Sequence, residues 1–195
     1  MVENTRAVVI HSFSYSDSSL IVKAYTEKFG YVSYILKGYK KQKKNKILLH
    51  PLALVEFSAN HKNADNLVFA RSVNTFLALK SIPLDPVKSG ISIFLAEWLS
   101  HTVRIGEGEP DFFRWLEQAI SALDLMEKPA NFHLWFLLNL CRFLGFYPQG
   151  NQSGAKQLFD LNEGAFTDNP HKTNALSVEE SYLLDKFIQT ELQNI

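Results

Sequence analysis

The apolar pattern of the chain changes its period once, near residue 80, and that change limits the fold more than any other feature. Before it, short runs rich in β-branched and aromatic residues alternate with turn signals. Thr5–Phe13 (TRAVVIHSF), Ser19–Thr26 (SLIVKAYT), Tyr31–Leu36 (YVSYIL), Leu52–Ser58 (LALVEFS) and Leu67–Val73 (LVFARSV) read as five strands. SYSDS and EKFG mark the first two turns, and NHKNADN marks a hairpin between the last two strands. Five short strands separated by turns suggest a small closed or nearly closed barrel.

After residue 80 the spacing is helical. Asp85-Pro86 supplies an N-cap and a proline at the first helical position, and Val87, Ile91, Phe94, Leu95 and Trp98 follow on one face. Gly106-Glu107-Gly108 breaks that helix, and Pro110-Asp111 opens a second with Phe112, Phe113, Leu116, Ile120 and Leu123. Pro129 opens a third, closed by Gly145 and Pro148. Residues 149–175 are polar and rich in Gly and Asn, hence a loop or weakly ordered. Ser177 and Glu180 form a capping box, and the helix they start is expected to be still running at Ile195, as in a chain cut short. The expected class is α+β with the two kinds segregated: a strand domain over residues 1–80 and an all-α domain over 81–195.

Charge divides at the same place. The net charge is zero, but residues 1–80 carry 12 Lys+Arg against 5 Asp+Glu, and residues 81–195 carry 8 against 15. A +7 half and a −7 half suit different partners, because only the first attracts polyanions. Much of the excess lies in LKGYKKQKKNKILLHP, residues 36–51, which holds Lys37, Lys40, Lys41, Lys43, Lys44 and Lys46 and no acid. A charge run is often only a solvated surface. This one sits on a basic strand unit and is interleaved with Tyr34, Gly38 and Tyr39. Grooves for nucleic acid combine cations for phosphates with aromatic faces for bases. Phe13, Tyr15, Tyr25, Tyr31, Phe57 and Phe69 could supply such faces, but half of any strand's residues turn to the core. An acidic protein or a membrane surface remains open as the partner of the same run.

Other chemistry finds little support. Cys141 is the one cysteine, so no internal disulfide or cysteine-based zinc site is expected. His11, His50, His61, His101, His133 and His171 are scattered without the i, i+4 spacing of a zinc helix and read as structural or surface residues. No catalytic or nucleotide-binding motif is present, and Glu107, Glu109 and Asp111 suit a helix start without catalysis. No enzyme, cofactor, metal or small-molecule substrate is therefore expected. The start, MVENTRAVVIHSF, is unlike a signal peptide, and no apolar run approaches membrane length, so a cytoplasmic protein is expected. The stripe Phe132, Trp135, Phe136, Leu140, Phe143 and Phe146 reads as bundle core or as a groove for a partner.

Taken together, these residues resemble RecO, the bacterial recombination mediator family of DNA repair. The likeness is carried by Thr5–Ile10, by Tyr15–Val22 (YSDSSLIV), by Tyr25–Gly30 (YTEKFG), by Leu36–Lys41 (LKGYKK), by Leu49–Leu52 (LHPL) and by Leu138–Pro148 (LNLCRFLGFYP). Their order and spacing cover most of residues 5–148. The resemblance implies an N-terminal OB-fold and a helical domain. It implies a non-enzymatic protein that binds single- and double-stranded DNA, anneals strands, works with RecR, binds the tail of the single-strand DNA-binding protein and helps load RecA. Many members carry a four-cysteine zinc site after the helix that ends in Gly-Tyr-x-Pro. Residues 149–175 hold no cysteine, so no zinc is expected, and that segment must be held by packing or stay loose. The motif's arginines are Lys40 and Lys41 here, which keeps the attraction for phosphate and loses bidentate geometry.

The expected nucleic-acid set is therefore Lys37, Tyr39, Lys40, Lys41, Lys43, Lys44 and Lys46, joined by Arg6 and Arg71 if those strand residues point outward. Two rival functions stay open: an RNA-binding OB module, and a protein-interaction scaffold whose basic segment docks an acidic partner.

Overall fold

The computed structural model describes residues 1–39, 49–61, 67–103, 108–150, 157–169 and 171–192. The hairpin expected over 60–66 and the Gly106-Glu107 break lie largely outside them. Contacts divide the chain into two compact units, Met1–Pro129 and Ala130–Ile195. The change of secondary structure near residue 80 is a different boundary, since the first two helices belong to the first unit.

That unit is built on β1 (Glu3–Ser14), β2 (Leu20–Thr26), β3 (Gly30–Leu36), β4 (Leu54–Ala59) and β5 (Val68–Leu77). They close into a barrel of order β1-β2-β3-β5-β4, antiparallel except for the parallel pair β3–β5. This is the five-stranded OB arrangement. The period-2 alternation sends Ala7 and Val9, Val22 and Ala24, Val32 and Tyr34, and Val55 and Phe57 into one core. Tyr34 stacks on Phe57 at 4.0 Å, and its hydroxyl lies 2.8 Å from Nε2 of buried His61.

β4 starts two residues later than its apolar run does. Leu52 is buried at a φ of 62°, a conformation costly for a branched residue, and its N–H donates to Val9 O at 2.8 Å. Ala53 O accepts from Val9 N, and the β1–β2 register shifts at the same place, between Val9 and His11. The turn at Pro51-Leu52 is thus locked into a bulge of β1 before β4 begins.

α1 (Pro86–Thr102) starts as its sequence dictates: the Asp85 carboxylate accepts from the N–H groups of Val87 and Lys88. It packs against β1, whose outward residues Val8 and Ile10 are buried although they face away from the barrel core. α2 (Pro110–Leu125) follows, with Phe113, Leu116 and Ile120 buried. Its last turn fixes the strand-to-helix connection. The Asp124 carboxylate accepts from the N–H groups of Lys80, Ser81 and Ile82 at 2.8–2.9 Å. Buried Lys88 donates to Ser81 Oγ at 2.7 Å and to Asp124 O at 2.8 Å. Burial works to raise the Asp124 pKa, but the backbone donors outweigh it and hold the carboxyl below its ordinary range. Asp124→Ala strands three N–H donors and is expected to cost about 2–3 kcal/mol. Thermal unfolding should show a midpoint lower by roughly 4–12 °C.

The second unit holds α3 (Phe132–Leu144), a hairpin of β6 (Leu158–Asp160) and β7 (Ala165–Thr167), and α4 (Val178–Ile188). α3 ends at Gly145 in the left-handed region, as its sequence signals, and Phe132, Phe136 and Leu140 of its stripe are buried. Within 149–175 the structure adds the hairpin, where Phe159 meets Phe166 edge-on. Asp160, almost fully buried, pairs with Lys172 at 2.6 Å and accepts from the N–H of Asn162 at 2.9 Å. The described part of this segment is therefore held by packing and an ion pair. α4 carries the Ser177–Glu180 capping box. It ends at Ile188 with Gln189 as its cap, so the expected helix running open to the chain end is corrected.

Candidate nucleic-acid interface

The lysine run leaves the barrel at the end of β3. Leu36 points into the core, Lys37 is exposed, and Gly38 turns the chain at a φ of 72°. A residue with a Cβ is strained in that conformation, although among the described residues beyond its chain neighbours nothing lies within 4 Å of where the Cβ would stand. The turn aims Tyr39 back inward, to 6% exposure within the barrel core. Leu49, also buried, brings the chain back. Lys40, Lys41, Lys43, Lys44 and Lys46 lie between those two anchors and outside the described residues.

The anchors place the run's origin beside a polar cleft of about 200 Å³ between the end of β3 and β5. Lys37, Tyr39, Arg71, Ser72 and Asn74 line it. The structure thus brings Lys37 and Arg71, both exposed, to one place 34 residues apart in sequence. Lys37 Nζ lies 4.6 Å from the centre of the Phe69 ring, which stands on the next outward position of β5. Phe69 is one of the six strand aromatics the sequence offers as faces for bases, although it is not in the set expected to bind nucleic acid. Its signal in the sequence was its spacing of two from Arg71, which sets both on one strand face.

Two expected contacts are corrected. Tyr39 cannot stack on a base, because its ring is part of the core. Burial pushes its hydroxyl up to about 12, and that oxygen has no hydrogen-bond partner among the described residues. Arg6 is not free for phosphate. Its Nε donates to Glu27 at 2.9 Å and its Nη1 to Glu117 at 3.1 Å, while the guanidinium lies over Phe76 and Phe113. Arg6 therefore ties the β2–β3 turn to α2 across β1. Its hydrogen bonds hold the Glu27 carboxyl below its ordinary range against the effect of burial. A lowered carboxylate pKa adds stability above the ordinary range and loses it as pH falls through the folded value. Glu27→Gln is expected to cost about 1 kcal/mol at neutral pH, and the difference from wild type should vanish in acid-range thermal melts.

The same helix takes up part of the barrel's outer face. Tyr25 points outward from β2, yet it is buried under α2. Phe112 meets its ring edge-on at 5.1 Å, and its hydroxyl accepts from Glu109 N–H at 3.1 Å. The strand 2–3 face of an OB barrel is a common ligand surface; here its turn end is covered by the chain itself. The opposite rim is not. Lys37, the β1–β2 turn with Tyr15 at 62% exposure, and the outer side of β5 remain open there. Among the described residues, no group of three or more His, Cys, Asp or Glu side chains could hold a metal, and no helix is long and apolar enough to cross a membrane.

A closed five-stranded OB barrel followed by helices, with a basic segment set between β3 and β4, defines an OB-fold protein with an appended helical part. Its first 76 residues match the family model for the recombination protein O N terminal, and residues 83–195 match that for the recombination protein O C terminal. A DNA repair protein RecO of Azobacteroides pseudotrichonymphae is 35% identical over the whole of this chain and 83% of its own length. One from Bacteroides fragilis is 38% identical over 86% of this chain and 70% of its own. One from Porphyromonas gingivalis is 30% identical over the whole of this chain and 83% of its own. The chain belongs to the RecO family of DNA repair proteins.

Proposed function

We propose that this protein is a non-enzymatic, cytoplasmic DNA-binding mediator of recombinational repair. It holds single- and double-stranded DNA by its phosphates and anneals complementary strands. It works with RecR and with the tail of the single-strand DNA-binding protein to help load RecA. The observation that carries the reading is the convergence of Lys37, Arg71 and the root of the lysine run on one open rim. Lysines bind phosphate as point charges without sequence preference. Two strands held on one basic surface have their mutual repulsion screened, which is the physical requirement for annealing. The acidic residues 81–195 repel nucleic acid and are left for protein partners.

Matched DNA and RNA oligonucleotides compete for the protein in the deciding experiment, with a RecR pull-down alongside. DNA binding at least as tight as RNA, together with RecR capture, is the expected result. A clear preference for RNA overturns the reading in favour of an RNA-binding module. Capture of an acidic protein through the lysine run with no nucleic-acid binding overturns it in favour of a scaffold.

A further inference from the structure

We propose that Phe69 is a base-stacking platform, and that it lets the rim tell unpaired bases from duplex. The inference rests on the phosphate-binding reading above and adds a specificity to it. An exposed aromatic residue on a strand is ordinary by itself. Four observations set Phe69 apart. It is 57% exposed on an outward position of β5, beside Ile35 of β3. Lys37 lies over its ring at 4.6 Å. Arg71, exposed two residues further along the strand, lines the cleft that Lys37 also lines. The lysine run leaves the core at Tyr39, which lines the same cleft.

Cations within reach of the phosphates on either side of a flat aromatic face are what a single strand needs. Lys37 has a long, mobile stem and can exchange the ring for a phosphate when a base arrives. The other strand aromatics are less suited. Tyr25 and Phe57 are buried, and Tyr31 is half-buried. Phe13 and Tyr15 are exposed, but among the described residues neither carries a cation over its ring, and Asp17 follows them in the same turn. In a duplex the bases are already stacked and paired, so only its phosphates are available to this rim.

Three variants and two ligands test this. Phe69→Ala removes the ring. Phe69→Leu keeps an apolar cover over Ile35 without a flat face. Phe69→Trp keeps the face. Anisotropy with a labelled single strand and with a labelled hairpin duplex reads affinity, and thermal melting reads the fold. The expected result is a loss of about 5- to 150-fold for the single strand in Phe69→Ala and Phe69→Leu. Duplex affinity and the salt slope should stay within twofold of wild type, and Phe69→Trp should bind the single strand as wild type does. Equal losses for both ligands, or wild-type single-strand affinity in Phe69→Leu, overturn the proposal while leaving phosphate binding intact. A wild-type chain that binds neither ligand overturns the phosphate reading itself.

Discussion

Replacing Lys40, Lys41, Lys43 and Lys44 together with glutamate is expected to lower affinity for single-stranded DNA by about a thousandfold at low salt. Each lysine on a phosphate releases condensed counterions, and the entropy of that release supplies most of non-specific binding. Four reversals remove those contacts and add four repulsive charges at the same place. The core anchors Tyr39 and Leu49 are untouched, so the melting midpoint should hold within a few degrees. An unchanged midpoint separates this variant from one that simply fails to fold. Affinity equal to wild type would move the phosphate surface to another part of the barrel.

Gly108→Ala is expected to be the most destabilising small change in the first unit. A Cβ at this position lies 2.3 Å from Glu27 O and 2.7–2.8 Å from the carbonyl carbons of Glu27 and Lys28. All three atoms are backbone in the β2–β3 turn, so no side chain can swing aside. Gly108 N–H donates to Lys28 O at 3.3 Å from the same place, which makes the approach part of the fold. The methyl group must push the start of α2 off the barrel. That puts at risk the Glu109–Tyr25 hydrogen bond, the Phe112–Tyr25 contact and the Arg6–Glu117 pair. Overpacking against a fixed backbone costs about 3 kcal/mol, or roughly 6–12 °C in the melting midpoint. Gly90→Ala is the matched control. Gly90 lies inside α1 with open space where the Cβ would go, so the same substitution should stabilise by about 0.5–1 kcal/mol.

The barrel was legible because its strands are short, alternate cleanly and are punctuated by turn residues. The helix ends at Asp85, Gly145 and Ser177 follow from caps that act locally and so show in local sequence. The hairpin of β6 and β7 was not legible. Its two strands are three residues each, too short for a period, and Asp160 and Lys172 become a pair only when the chain folds back.

At the rim, the basic composition of the run pointed to the right kind of surface, but composition does not fix direction. Gly38 resets the alternation after β3, so the parity that would place Tyr39 inward cannot be counted through it. Arg6 looks free in sequence because Glu27 and Glu117 are 21 and 111 residues away. Burial of Tyr25 on the outside of the barrel is likewise a tertiary fact, set by where α2 lies.

The most direct measurement is the affinity of the wild-type chain for a labelled single-stranded oligonucleotide as a function of salt. If the lysine run and its neighbours clamp phosphates, log affinity should fall linearly with log salt. About five contacts on a single strand predict a slope of roughly −3.5. A slope near zero, with binding still present, would contradict the phosphate clamp.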